Sequence, residues 1–179
     1  MNRRVQALSE RFEQANLAVR IAIMESSDEQ LQRICPAEQC TVAALGCHIA
    51  SVYEVGTDWM LAVLDGRGLP VLSMAEINHV NREFFVREAN ASRSKILILL
   101  ERGGALASTH LRNLDDADLD RSSPFPHFGG AMINVQSLIE QILIGDPIAH
   151  LTGIRSAFGA SISPGGSPHF HNQVWIAGR

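Results

Sequence analysis

An acid and an imidazole share an apolar helix face near the end of the sequence. Within residues 134–158, Asp146 and His150 are four residues apart, so on a helix their side chains project side by side. A buried carboxylate beside a buried imidazole is costly unless each finds a partner. We expect that partner to be a metal ion, the other member of the pair, or polar groups on a facing helix. The residues that share the face at helical spacing are Ile139, Leu143, Asp146, His150, Ile154 and Ala157.

A second inward-facing histidine lies on an earlier predicted helix. His48 is three residues after Leu45 and four before Val52, which places it on the apolar stripe of that helix. The chain has no GxSxG motif and no glycine-rich phosphate loop, which argues against a triad hydrolase and against a nucleotide-dependent enzyme. The three inward polar residues are therefore the candidates for chemistry.

The elements that must position these residues are helices. Apolar periodicity, serine caps and glycine or proline breaks predict four long helices in one bundle, with short helices in the connections. The predicted fold class is all-α, an up-down four-helix bundle over residues 1–159, followed by an irregular C-terminal tail at 160–179. Strand signal is confined to 172–177, and 122–130 reads as a loop. The predicted helices span residues 3–24, 37–65, 74–88, 92–114 and 134–158.

Composition limits the partners. The chain has 179 residues and a formal net charge of -4, with basic residues scattered, so we expect no nucleic acid and no membrane as partner. No apolar run is long enough to span a bilayer and no signal peptide is evident, which predicts a cytoplasmic protein. Cys35, Cys40 and Cys47 lack CxxC spacing, and we interpret them as small buried hydrophobes.

Several motifs, in their order and spacing, resemble the DinB-like four-helix-bundle superfamily. They are LGCHIASV around His48, INHVNREF, a DADLD turn, and LIEQILIGDPIAHLTGIRSA in the last helix, and the likeness spans roughly residues 5–158. Members commonly hold a divalent metal through a histidine of the second helix and an HxxxH pair of the fourth. The resemblance thus implies His48 and His150 as ligands, with Asp146 at the position where a histidine is usual.

Asp146 can be interpreted in two ways. It can complete a two-histidine, one-carboxylate site with open positions, suited to zinc, nickel, iron or manganese. Alternatively, the metal has been lost and Asp146 accepts a hydrogen bond from His150 or His48. Pro147 is expected only to tilt the helix axis.

The resemblance implies a function as well as a fold. Characterised members include thiol-dependent S-transferases and a mycothiol-dependent maleylpyruvate isomerase. We therefore expect a metal-dependent enzyme that activates a low-molecular-weight thiol for attack on a small electrophilic substrate. The alternative is a non-catalytic, metal-free bundle, stress-associated or binding a small molecule, that works as a homodimer through its apolar tail.

Overall fold

Four long helices form the bundle in the computed structural model, which describes residues 3–126 and 130–159. The first three are α1 (Arg3–Glu25), α3 (Val42–Leu64) and α5 (Arg93–Arg112). The fourth is continuous but changes type, from α6 (Val135–Leu138) through a π-helical segment (Ile139–Gly145) to α7 (Asp146–Ala157). The predicted all-α bundle is confirmed.

Shorter elements connect the bundle helices. A single turn, α2 (Asp28–Leu31), and a hairpin of β1 (Ile34–Cys35) and β2 (Cys40–Thr41) link α1 to α3. The 15-residue α4 (Met74–Glu88) links α3 to α5. A 3₁₀ turn (Asp118–Asp120) and a hairpin of β3 (Ser122–Phe125) and β4 (Ala131–Asn134) lead into the fourth helix.

The helix directions refine the up-down description of the bundle. Taking α1 as up, α3 and α5 both run down and the fourth helix runs up, because α3 and α5 pack in parallel register. A chain that repeats a direction must first travel back along the bundle, and α4, about 22 Å long, provides that return. Two contacts in each helix pair give the directions. The α1–α5 contacts Glu13–Arg112 and Asn16–Gly104 are antiparallel, as are the contacts of α3 with the fourth helix, His48–His150 and Gly56–Leu143. The contacts of α1 with the fourth helix, Arg4–Gln136 and Arg11–Glu140, are parallel, as are the α3–α5 contacts Gly46–Ile96 and Tyr53–Gly103.

Side-chain caps fix most helix starts. Thr41, Ser73, Ser92 and Asn134 each accept a hydrogen bond from a backbone N–H three residues on, which satisfies a donor that has no partner within the helix. Ser73 forms a complete capping box, since the side chain of Glu76 also accepts from the Ser73 backbone N–H. Local sequence therefore determines where α3, α4, α5 and α6 begin.

Two predicted boundaries were wrong. The second bundle helix begins at Val42 and not at residue 37, because residues 34–41 form the first hairpin, with Gln39 at a φ of 55° in its turn. The predicted loop at 122–130 contains strand β3, which pairs with β4. The strand predicted at 172–177 and the tail at 160–179 lie outside the described residues. Among the described helices, none has the length and apolarity needed to cross a membrane.

Candidate metal centre

The three predicted site residues meet in the bundle core. One potential ligand atom from each of His48, Asp146 and His150 lies within 4.8 Å of the other two. All three side chains are buried, with His48 only 1% exposed and Asp146 and His150 each 7% exposed. Helix periodicity on two separate helices thus produces one compact polar cluster.

Helix α3 places His48 on a face that is otherwise apolar. The imidazole packs edge-on against Phe85 of α4, with ring centroids 5.3 Å apart, and against His150, with centroids 5.1 Å apart. Phe84 completes the aromatic contact at 6.2 Å. These rings restrict the orientations that His48 can adopt and leave it facing the fourth helix.

The fourth helix presents Asp146 directly after its π-helical segment. Pro147 has no N–H, so in a regular α-helix the carbonyl of Leu143, four residues before it, would have no donor. Instead, the Asp146 N–H donates to the carbonyl of Gln141, five residues back, and α7 begins with Pro147 in its first turn. The expectation that Pro147 only tilts the axis was therefore wrong. Such π-bulges are frequent at functional sites.

His150 lies between two carboxylates. Its Nε2 is 3.4 Å from Asp146 Oδ2, and its Nδ1 is 3.2 Å from Glu38 Oε1. Burial by itself lowers the pKa of His150, but the charges of Asp146 and Glu38 outweigh it and raise that pKa to about 10. In the metal-free protein the ring is therefore an imidazolium at neutral pH, with each N–H directed at a carboxylate.

Glu38 is the residue that sequence reasoning missed. Residues 37–41 were interpreted as the first turn of a helix, where Glu38 would point to solvent. The structure instead places Glu38 in the β1–β2 turn with its side chain only 12% exposed. The one available signal was Pro36, because proline favours the second position of a turn.

The donor set fits a divalent ion. Asp146 Oδ2 and His150 Nε2 are buried and form an ion pair at 3.4 Å but no well-aligned hydrogen bond, so a cation could displace the proton between them and bind both atoms. Two donors bound to one tetrahedral zinc at about 2.0–2.1 Å are about 3.3 Å apart. The observed separation of 3.4 Å between these two atoms agrees with that value.

A cavity of about 600 Å³ lies beside the cluster, between the first hairpin and α4. Two of its lining residues also contact the candidate ligands, since Glu38 bonds His150 and Phe85 packs on His48. This volume is within the range that small-molecule sites occupy. Its polar lining includes Gln39, Asn78, Asn81 and Arg82.

The fold and the cluster together define a four-helix bundle with a candidate metal centre in its core. A solved structure with this fold is YfiT from Bacillus subtilis, described as "a probable metal-dependent hydrolase with an unusual four-helix bundle topology". The two chains superpose with a TM-score of 0.70 over 90% of this chain and 91% of YfiT, at 17% sequence identity. At that identity the likeness establishes the fold alone. No family model and no curated protein matches the sequence.

Proposed function

We propose that this protein is a metal-dependent enzyme that acts on a small molecule, with His48, Asp146 and His150 as the metal ligands. The observation that carries the proposal is the convergence of three buried donors from two helices, two of which, Asp146 Oδ2 and His150 Nε2, have no hydrogen-bond partner beyond the 3.4 Å ion pair that they form with each other. A bundle without a ligand would gain stability from apolar residues here. The description of YfiT as metal-dependent supports the same assignment.

The donor set determines the chemistry that is available. When bound by two histidines and one carboxylate, a divalent ion keeps open positions and lowers the pKa of a bound water or thiol. Asp146 contributes a negative charge, and the aromatic rings of Phe84 and Phe85 beside His48 shield the donors from bulk water. Zinc, nickel, iron and manganese all suit this set. The adjoining cavity would admit the substrate.

A thiol nucleophile would have to come from outside the protein. Cys35, Cys40 and Cys47 are all buried, and burial raises the pKa of the Cys35 and Cys47 thiols to about 12. The protein's own thiols are therefore not nucleophilic at neutral pH. The DinB-like resemblance favours a low-molecular-weight thiol attacking an electrophile, whereas the description of YfiT favours water in a hydrolysis. Both reactions need the same three ligands.

Metal analysis tests the proposal. Protein purified without added metal, and the same protein after incubation with each candidate ion and desalting, should contain about one ion per chain by elemental analysis. His48→Ala, Asp146→Ala and His150→Ala should each lose it. His79→Ala is the matched control, because His79 pairs with Glu83 at the same i, i+4 spacing but is exposed.

Wild-type protein that retains none of these ions would overturn the proposal and favour the non-catalytic, metal-free bundle. If metal is retained, the loaded enzyme should be assayed with small electrophiles plus low-molecular-weight thiols, and separately with esters and amides. Product that forms only with added thiol identifies a transferase or isomerase, and product formed from water identifies a hydrolase. The homodimer stays a prediction, which size-exclusion chromatography with and without residues 160–179 would test.

A further inference from the structure

Glu38 is a nearly buried carboxylate that the three proposed ligands do not account for. Its Oε1 contacts His150 Nδ1 at 3.2 Å, while its Oε2 is buried without a hydrogen-bond partner. Burying a carboxylate is expensive unless it has a compensating role. The contact is made to the nitrogen of His150 that points away from Asp146, since Asp146 Oδ2 lies 3.4 Å from the other nitrogen.

The first hairpin holds Glu38 in this position. Cys35 and Cys40 are cross-strand partners on either side of the turn, and both are buried. The Gln39 N–H donates to the Cys35 carbonyl at 2.9 Å, which closes the turn around Glu38. Thr41 ties the hairpin to its neighbours, because its hydroxyl caps α3 and donates to the carbonyl of Ala89. The backbone that carries Glu38 is thus held on both sides of the turn.

Helix α7 has a gap that admits this carboxylate. Gly153 is three residues after His150, and a Cβ at that position would lie 2.7 Å from Glu38 Oε1 and 2.8 Å from Glu38 Oε2. Carbon atoms do not approach oxygen that closely, so a side chain at residue 153 would force the Glu38 carboxylate to shift from the position in which it contacts His150. Three independent features therefore place the Glu38 carboxylate against the His150 imidazole: Gly153, the β1–β2 turn, and the contact between Glu38 Oε1 and His150 Nδ1.

We propose that Glu38 is a positioning residue that accepts the Nδ1–H of His150 and thereby presents Nε2 to the metal. The inference rests on the proposed function, which supplies the metal. Ligating histidines generally donate their second N–H to a carboxylate or carbonyl, which fixes the tautomer and the ring orientation. Loss of such a partner weakens metal binding by roughly 10- to 100-fold.

Zinc affinity measured against a chromophoric chelator tests the assignment. Glu38→Ala should bind zinc roughly 10- to 100-fold more weakly than wild type, and Glu38→Gln should lie between them because its neutral amide oxygen still accepts. Glu29→Gln is the matched control, since Glu29 is an exposed carboxylate that pairs with Arg33 and is not among the candidate ligands, and its affinity should not change. Circular dichroism confirms that each variant is folded.

A double-mutant cycle separates positioning from general damage. Gly153→Ala should weaken zinc binding in the wild-type background but not in the Glu38→Ala background, because it acts only by displacing Glu38. Equal losses in both backgrounds, or wild-type affinity in Glu38→Ala, would overturn the inference.

A spectroscopic measurement keeps the inference testable without zinc binding. In ¹H–¹⁵N spectra of the metal-free protein, the Nδ1 proton of His150 should exchange slowly in wild type and rapidly in Glu38→Ala. Absence of binding of zinc, nickel, iron and manganese in wild type refutes the proposed function, and these spectra then decide the role of Glu38 separately. Identical exchange in the two proteins would refute the positioning role.

Discussion

Replacing Asp146 with asparagine should abolish most of the thermal stabilisation that metal gives this protein. A ligand that binds only the folded state at a hundred times its dissociation constant stabilises that state by about 2.7 kcal/mol. For a chain of 179 residues, each kcal/mol raises the melting temperature by about 2–4 °C. The wild type should therefore melt roughly 5–11 °C higher with saturating metal than in EDTA.

The expected loss follows from the position of Asp146 in the cluster. Its Oδ2 lies 3.4 Å from His150 Nε2 with no other partner, so an amide there removes the charged donor without changing the volume. If the dissociation constant rises by about 100-fold, the same metal concentration stabilises by only about 0.4 kcal/mol, which is a shift of about 1–2 °C. Each variant is compared with its own melting temperature in EDTA, so changes in metal-free stability cancel.

Differential scanning fluorimetry with zinc, nickel, manganese or anaerobic iron(II) provides the assay. The control is the double variant His79→Ala, Glu83→Gln, which removes an exposed histidine–carboxylate pair with the same spacing and a separation of 3.3 Å. The control should keep the full wild-type shift. An Asp146→Asn protein whose shift equals that of wild type would refute the assignment of Asp146 as a ligand.

Two further predictions concern groups away from the metal. The buried Glu88 is destabilised by burial, but its bonds to Lys95 and Arg87 lower its pKa, so it stabilises the fold above about pH 4.5 and loses that effect as the pH falls. Glu88→Gln should therefore cost about 1–2 kcal/mol by urea unfolding at pH 7 and progressively less as the pH falls below about 4.5, and a cost that does not change with pH would contradict this. The three cysteine thiols should not react with Ellman's reagent at pH 8 until the protein is unfolded, because all three are buried and burial raises their pKa values; rapid labelling of native protein would be inconsistent with the fold.

The sequence predicted the candidate site better than the connections between helices. His48, Asp146 and His150 could be assigned inward because helical periodicity fixes the face on which a residue lies, and this needs no long-range information. Which helices face each other depends on the direction of each helix, and the direction of α5 is decided by the crossover through α4. The apolar periodicity of α5 is the same for either direction, so it could not predict that crossover.

Short elements were missed for a related reason. Strands β1 and β2 have two residues each, too few to show the alternation by which a strand is recognised. They also pack against α4 and α7, which are distant in sequence. Because the hairpin was not predicted, Glu38 was not predicted as a site residue either. Its contact with His150 forms only when the turn packs against α7. The error in one local boundary therefore concealed a residue of the site.

The carboxylate at position 146, where the DinB-like resemblance leads one to expect a histidine, is consistent with the charges around it. Glu38 and Asp146 contribute two negative charges beside His150, and a divalent ion with a neutral His150 would balance them. Without metal, His150 is protonated because its pKa is raised, and it supplies only one positive charge. One negative charge therefore stays buried. With histidine at residue 146, the bound ion would instead leave one positive charge in the core. Two carboxylates beside His150 are thus the charge environment that the proposed divalent ion requires, because the metal-bound cluster would be the neutral one.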